Sequence, residues 1–253
     1  MKTKRFFLLI ITGVLILPLL CSCKKTFHCT HSGELSSMRI ELKPVKRVET
    51  CNNIELHVVQ DPRTFILVRG GREMLPHFSY LIENGKLVLD DAGKCIFRGD
   101  EYKIEVTLHT PDLREIRNSA NFGIYSSDTL KFEELRLISE NYHQPESPAA
   151  GDFDLIVKTN YLEIISNNLS MFSIKGETQQ LRIGFYSGMS KFMGKNLRAE
   201  RIYFLQRSVN DLELFPLHDL KGHIYSTGNV LIFNEPDSIQ VTQHYTGSLI
   251  CKY

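Results

Sequence analysis

From Leu162 onward, short runs of alternating apolar and polar residues recur at a nearly fixed interval. Segments opening at Leu162, Leu181, Ile202, Leu220 and Ile239 align with one another, at spacings of 19, 21, 18 and 19 residues. Most begin apolar-polar-apolar, pass through a polar turn that often holds Gly or Asn, and end in a second short apolar run. Period-two alternation puts successive side chains on opposite faces of a strand. A fixed period near 20 residues built from short strands is the sequence mark of a solenoid. No apolar stripe at 3.6-residue spacing runs long enough for a helix, so the pattern predicts an all-β chain, a β-solenoid with rungs of about 18–22 residues.

The earlier part of the chain shows the same short strands with less regular spacing. Ile54, Leu56 and Val58 alternate with Glu55, His57 and Val59 until Asp61-Pro62. Phe65–Val68 reads as a buried run closed by Gly70-Gly71. Asn84-Gly85 between Leu81-Ile82 and Leu87–Leu89 is a strong hairpin signal. Ile104, Val106 and Leu108 alternate with Glu105, Thr107 and His109, which places His109 on the outer face. Leu113 and Leu135 read as earlier members of the repeat, so Leu113, Leu135, Leu162, Leu181, Ile202, Leu220 and Ile239 are expected to stack as one inward row. Phe172, Phe185, Phe192, Phe204 and Phe233 are expected to fill interior rows, because every rung must fill the same core. Gly188, Gly194, Gly222, Gly228 and Gly247 are placed in turns. The polar, Pro-containing stretch from Asn141 to Asp152 is a surface loop.

Ahead of the strands lies a different pattern. Lys2, Lys4 and Arg5 precede an apolar run of 15 residues, Phe6–Leu20, and then Leu20-Cys21-Ser22-Cys23. The run is too short to span a bilayer comfortably and has the layout of a secretory leader. Its last four residues match the bacterial lipobox, which makes Cys23 the candidate lipidation site. Two or more acyl chains anchor stably, each buried CH₂ contributing roughly 0.8 kcal/mol. Lys24 and Lys25, with no Asp beside the lipidated Cys, favour the outer membrane of a diderm bacterium, periplasmic or surface face undetermined. The domain plan is a signal peptide over 1–22, a tether over 23–37 and a β-helical body over 38–253.

Composition adds exclusions. The net charge is +1, and removing the leader's three cations brings it to −2, so no concentrated basic character points to nucleic acid. Trp is absent, which weakens a lectin reading, since sugar sites often use Trp platforms. His28, Cys29 and His31 lie close together but lack the paired spacing of a structural zinc site, and no metal or other cofactor is expected. There is no G-x-S-x-G, S-x-x-K or H-E-x-x-H. Asp152 and Asp154 share a strand face and form the best acidic patch, with a solvated surface as the plainer reading. Asp128-Thr129-Leu130 and Asp237-Ser238-Ile239 match a D-(S/T)-aliphatic acceptor pattern, which makes Thr129 and Ser238 candidate O-glycosylation sites. After Cys21 and Cys23, four cysteines remain: Cys29, Cys51, Cys95 and Cys251. They allow three complete pairings. Cys251, in the last rung, is expected to lie too far from the first strands to meet a partner within about 7 Å, unless the tail folds back.

Several segments also carry a resemblance. Ile104–Ile116 resembles the I-x-V-x-L-x-x-P-x-L-x-x-I segment of the putative auto-transporter adhesin head GIN domain family. Gly85–Leu89 resembles its G-x-L-x-I strand, and Ser226–Val230 and Thr246–Ile250 its closing Gly turns. The likeness covers roughly residues 40 to 250, with the lipoprotein leader common in the family. Asn118–Asn121 stands where the family usually has a Ser/Gly-rich turn, and Asn234 replaces a Gly before Pro236. The resemblance implies a right-handed parallel β-helix in the bacterial envelope and supplies no catalytic residues. The functional expectation is a lipid-anchored, non-enzymatic protein whose surface contacts a protein or glycan partner. The rival is a carbohydrate-active enzyme, polysaccharide lyase-like, on the same fold; it would gather Asp/Glu with Lys/Arg along one outer face of three successive rungs.

Family members often carry Cys near the positions of Cys29 and Cys95, so the resemblance implies a Cys29–Cys95 disulfide that ties the tether to the first rungs. Four unpaired thiols are the alternative. Non-reducing peptide mapping is expected to recover a linked Cys29–Cys95 pair; a linked Cys51 peptide, or no link, refutes it.

Overall fold

Strands form wherever the alternation is found, and almost nothing else does. The computed structural model describes residues 32–91, 103–140 and 150–253. In chain order the early strands are β1 (Leu35–Glu41), β2 (Arg47–Asn52), β3 (Ile54–Gln60), β4 (Phe65–Gly71), β5 (Phe78–Glu83) and β6 (Lys86–Asp91), with one 3-10 turn at Leu75–His77. Then come β7 (Ile104–Thr110), β8 (Glu115–Ala120), β9 (Ile124–Leu130) and β10 (Glu134–Ser139). The long strands β11 (Phe153–Ser166), β12 (Met171–Phe185), β13 (Lys191–Gln206) and β14 (Leu212–Ile224) precede β15 (Val230–Ile232), β16 (Ser238–Gln243) and β17 (Leu249–Cys251). All belong to one 17-stranded sheet. β1 begins within the segment expected to be tether.

The sheet curls into two arms that share one core. Each rung contributes a strand to the first arm, turns, and contributes a strand to the second. The first arm takes β2, β6, β8, β10, the later halves of β11 to β14, and β16; the second takes β3, β7, β9, the early halves of β11 to β14, β15 and β17. Rung-to-rung pairing within each arm is parallel. The inward column expected from the repeat is present: Leu135, Leu162, Leu181, Ile202, Leu220 and Ile239 stand in register on successive strands. All are buried except Ile239, 42% exposed, because no described rung follows β16. Leu113 is buried too, but the Glu115–Arg136 pairing sets it one residue before the aligned position.

Aromatic side chains fill the interior as expected. Phe153 and Phe172 stack with centroids 4.7 Å apart, and Phe185, Phe192 and Phe204 are fully buried, while Phe233 is half-buried. The glycine placement needs correction. Gly188, Gly228 and Gly247 do lie in turns, but Gly194 is in β13 and Gly222 in β14. Gly222 faces Phe204 in register, and a Cβ there would lie 2.6 Å from the Phe204 ring, so the missing side chain is what makes room for that ring.

The all-β expectation holds, but the sheet is mixed rather than a uniform parallel coil. At the N-terminal end β4 pairs antiparallel with both β7 and β1, and β5 pairs antiparallel with β6. The β5–β6 hairpin turns at Asn84 and Gly85, with φ of 49° and 72°. Two successive positive φ values are what a type I′ hairpin turn requires. The rung order also departs from the sequence order: β2 lies between β6 and β8, and β3 between β7 and β9. The first rung in sequence is therefore flanked on both sides by later ones.

Under the turns that join the two arms, the core becomes polar, and its serine hydroxyls find partners while Asn167 Oδ1 and Asn168 Nδ2 are buried without one. Ser139 and Ser170 hydroxyls are 2.7 Å apart, and those of Ser166 and Ser190 2.6 Å. Ser208 donates to the Ser190 carbonyl at 2.7 Å, and Asn118 Nδ2 to the Phe122 carbonyl at 3.0 Å. Left unpaired, each buried hydroxyl would cost about 1–3 kcal/mol. Small hydroxyls thus hold backbone carbonyls where the chain reverses and no apolar group could.

Leu181→Ala should destabilise the fold by about 2–5 kcal/mol. Ile239→Ala, half in water, should cost only roughly 1 kcal/mol. Denaturant unfolding of the two variants checks the ranking; equal losses would mean that the last rung is covered in solution.

Candidate functional site

Parallel register stacks outward residues as strictly as inward ones, so the outer face of the first arm reads as columns. One column runs Lys86, Arg47, Glu115, Arg136, Glu163 and Arg182, and continues through Tyr203, Lys221 and Gln240. Arg136 lies 3.3 Å from Glu115 and 2.8 Å from Glu163, and Arg182 lies 3.6 Å from Glu163. Acids and bases therefore do gather on one face across successive rungs. Glu163, however, lies between two guanidinium groups, and Glu115 is paired with Arg136, so each is spent in the ladder. Exposed pairs of this kind are worth roughly 0–1 kcal/mol each. Beyond the ladder, the Arg182 guanidinium sits 5.6 Å from the Tyr203 ring centre.

A second column follows the turn edge of the same arm. Backbone bonds from Arg207 to Phe185, Tyr225 to Gln206 and His244 to Ile224 set Arg207, Tyr225 and His244 one above another. The Arg207 guanidinium lies 5.9 Å from the Tyr225 ring, and Tyr225 stacks on His244 at 4.1 Å with planes 6° apart. His223 joins them, its Nδ1 3.2 Å from His244 Nε2. Tyr186, Tyr203 and Tyr225 are 42%, 40% and 42% exposed, so one face presents three half-open phenol rings among cations. Aromatic rings with a wet polar tip suit contact surfaces.

Two grooves flank these columns. At the start of the first-arm strands, Lys46, Arg47, Arg114, Glu115, Glu134, Arg136 and Tyr161 line a groove of about 430 Å³. Burial, with the Glu163 carboxylate adding to it, raises the Tyr161 phenol above its ordinary pKa. A groove of about 460 Å³ includes Lys131, Lys158 and Arg198 against Glu133, Glu177 and Glu200, a balanced set of charges. There Lys158 pairs with Glu177 and holds its carboxyl below the usual range.

The residues singled out from the sequence scatter. Asp152 and Asp154 do share a face, but Asp152 accepts from the Met171 amide at 2.7 Å and Asp154 lies 3.6 Å from Lys175. Thr129 is half-buried in β9, and Ser238 opens β16. His109 is on the outer face as expected, yet only partly exposed: β4 packs alongside, and Phe65 stacks on it at 4.1 Å. Cys51 is buried in β2, and Cys251 ends β17, exposed. Cys23, Cys29, Cys95, His28, His31 and residues 141–149 of the expected loop lie outside the described residues. Among the described residues no three His, Cys, Asp or Glu side chains gather as metal ligands, and no helix is long and apolar enough to cross a membrane. The sequence reading missed the charged ladder and the Tyr–His stack. Both were legible once the rung alignment was extended to odd positions, since the same spacings that align Leu162 with Leu181 align Glu163 with Arg182.

A family model described as "Putative auto-transporter adhesin, head GIN domain" matches residues 46–236. No curated protein matches the chain. Several solved structures share its fold. A putative adhesin from Bacteroides fragilis aligns with TM-score 0.77 at 14% identity, over 86% of this chain and 97% of its own. One from Parabacteroides merdae aligns with TM-score 0.60 at 15% identity, over 89% and 99%. A putative lipid binding protein from Parabacteroides distasonis aligns with TM-score 0.58 at 13% identity, over 87% and 98%.

At the far corner, His218 Nδ1 lies 2.6 Å from Asp237 Oδ2, and the Asp237 hydrogen bond raises the His218 pKa above its ordinary value. A raised folded-state pKa stabilises below the unfolded value near 6.5 and is lost as pH rises through the folded one. NMR titration should find His218 titrating above that value, and Asp237→Asn should return it there; an unchanged titration would show the pair is not formed in solution.

Proposed function

The chain belongs to the auto-transporter adhesin head GIN domain family, and from that premise we propose that it is a lipid-anchored, non-enzymatic protein of the bacterial envelope. Its body coils as a right-handed parallel β-helix closed at the N-terminal end by antiparallel strands, and it presents the outer face of the first arm to a protein or glycan partner. The observation that carries this reading is the set of half-exposed rings on one register-locked sheet, Tyr203 beside Arg182 and Tyr225 beside Arg207, with Tyr186 at the same turn edge as Tyr225. Such a face offers large contact area at little entropic cost, since the side chains are held by their columns before any partner arrives. Glu115 and Glu163 are committed to the ion ladder, which favours contact over catalysis along that column. Similarity to adhesins supports an envelope role, and the protein described as lipid binding shares the fold only.

Cys23 would hold the protein to the outer membrane through its acyl chains, with the tether keeping the body clear of the surface. The Cys29–Cys95 link and glycosylation at Thr129 and Ser238 belong to the same proposal.

The test uses cells expressing the full chain. Cys23→Ala should move the protein out of the membrane fraction. Tyr203→Ala combined with Tyr225→Ala should leave membrane levels unchanged and reduce adhesion to protein- or glycan-coated surfaces by about tenfold or more, as loss of central aromatic contacts does. An unaltered membrane fraction sinks the anchor, and unaltered adhesion sinks the face.

A further inference from the structure

We propose that the groove at the start of β2, β8 and β10 binds an acidic sugar residue, taking its carboxylate, sulfate or phosphate between Arg47 and Arg114 with the sugar ring against Tyr161. The inference rests on the reading of the first-arm face as a contact surface and specifies one ligand class for one part of it.

The charges in the groove do not cancel. Lys46 is held by Asp112 at 2.5 Å, and Arg136 by Glu115 and Glu163. Arg47 gives Nη2 to the Asn84 carbonyl at 2.9 Å, a neutral acceptor that leaves its charge unanswered. The exposed Arg114 side chain has no hydrogen bond or ion pair among the described residues. Arg47 opens β2 and Arg114 immediately precedes β8, and the two backbones meet where the Arg114 amide donates to the Lys46 carbonyl at 2.7 Å. Only Glu134 in the lining remains to oppose them. Guanidinium forks match planar or tetrahedral oxyanions in bidentate fashion, which a lone ammonium cannot do.

Tyr161 decides between a bare anion and a sugar-borne one. It is half-buried beside the cations and offers a ring and a hydroxyl together. A phenol is protonated at neutral pH, and burial raises this one further, so it can donate to a sugar oxygen without repelling the acid group. A peptide fits less well. Peptides bind sheets by adding a strand at an edge or by filling apolar pockets. This groove lies on the face of paired strands, and its lining is almost wholly charged.

The full chain is titrated calorimetrically with an oligogalacturonate, a sulfated heparin-derived oligosaccharide, a neutral maltooligosaccharide and inorganic sulfate. An acidic oligosaccharide should bind and the neutral one should not. The Arg47→Gln/Arg114→Gln double variant should weaken binding by about tenfold or more, equivalent to roughly 1.4 kcal/mol, with an unchanged melting temperature. Tyr161→Ala should weaken the sugar but not inorganic sulfate. Failure of every acidic sugar to bind, or equal binding by the arginine double variant, overturns the proposal. Equal affinity for sulfate and for an acidic sugar, both indifferent to Tyr161→Ala, also overturns it, leaving only a site for small anions. If adhesion falls with the Tyr203/Tyr225 variant while the arginine variant changes nothing, the contact face stands and this inference alone fails.

Discussion

Parallel stacking imposes one constraint from which most of this molecule follows: a residue's role is dictated by the residues directly above and below it. Neighbouring strands sit about 4.8 Å apart, so each inward side chain must fit between two others in the same position. Leu135, Leu162, Leu181, Ile202 and Leu220 satisfy that by sameness. Phe204 and Gly222 satisfy it by compensation, a large ring over a missing side chain. The serines beneath the turns satisfy it by hydrogen bonding, where the chain reverses and carbonyls would otherwise be stranded. On the outer face the same rule makes Glu115, Arg136, Glu163 and Arg182 alternate in sign, because like charges in successive rungs would repel.

What the sequence made legible is the part of the chain that obeys this rule in order. From Leu135 to Ile239 the alignment of apolar positions gave the correct register, rung by rung. The Asn84-Gly85 turn was equally plain, since its backbone geometry restricts residue choice so strongly. The N-terminal third was harder to read for a physical reason. Strands there pair with partners distant in sequence, and the spacings from β2 to β6 and from β3 to β7 differ from each other and from the later period. Alternation within β3 and β7 and the apolar run of β4 reveal that they are strands but not which neighbour each takes. His109 shows the same gap: its outward side was clear, while the covering of that side by Phe65 depended on an antiparallel pairing that no local pattern encodes.

The surface is less legible than the core because motifs of known chemistry are local in sequence, while the contact face is a property of columns. Tyr186 in one turn and Tyr225 two rungs later share no motif, and neither do Arg207 and His244. They meet because the coil returns the chain to the same edge each time. An envelope protein built this way can vary its outer columns without disturbing the inner ones, since the two sets alternate along every strand. Wide sequence divergence on a shared fold, as with the Bacteroides fragilis structure at 14% identity, is what such a division permits.

The displaced first rung has a consequence for how the chain reaches its final form. Later rungs join partners about 20 positions back, as Ser187 does with Asn167, and can zip up one after another. The rung of β2 and β3 must wait: Ser119 reaches back to Glu49 across a separation of 70 residues. Closing the longer loop costs only roughly 1 kcal/mol more than closing one of 20 residues, so equilibrium stability is barely affected. Kinetics are affected more, because pairings distant in sequence form slowly. The C-terminal rungs therefore have only short loops to close, while the rung of β2 and β3 has to wait for strands that lie far along the chain.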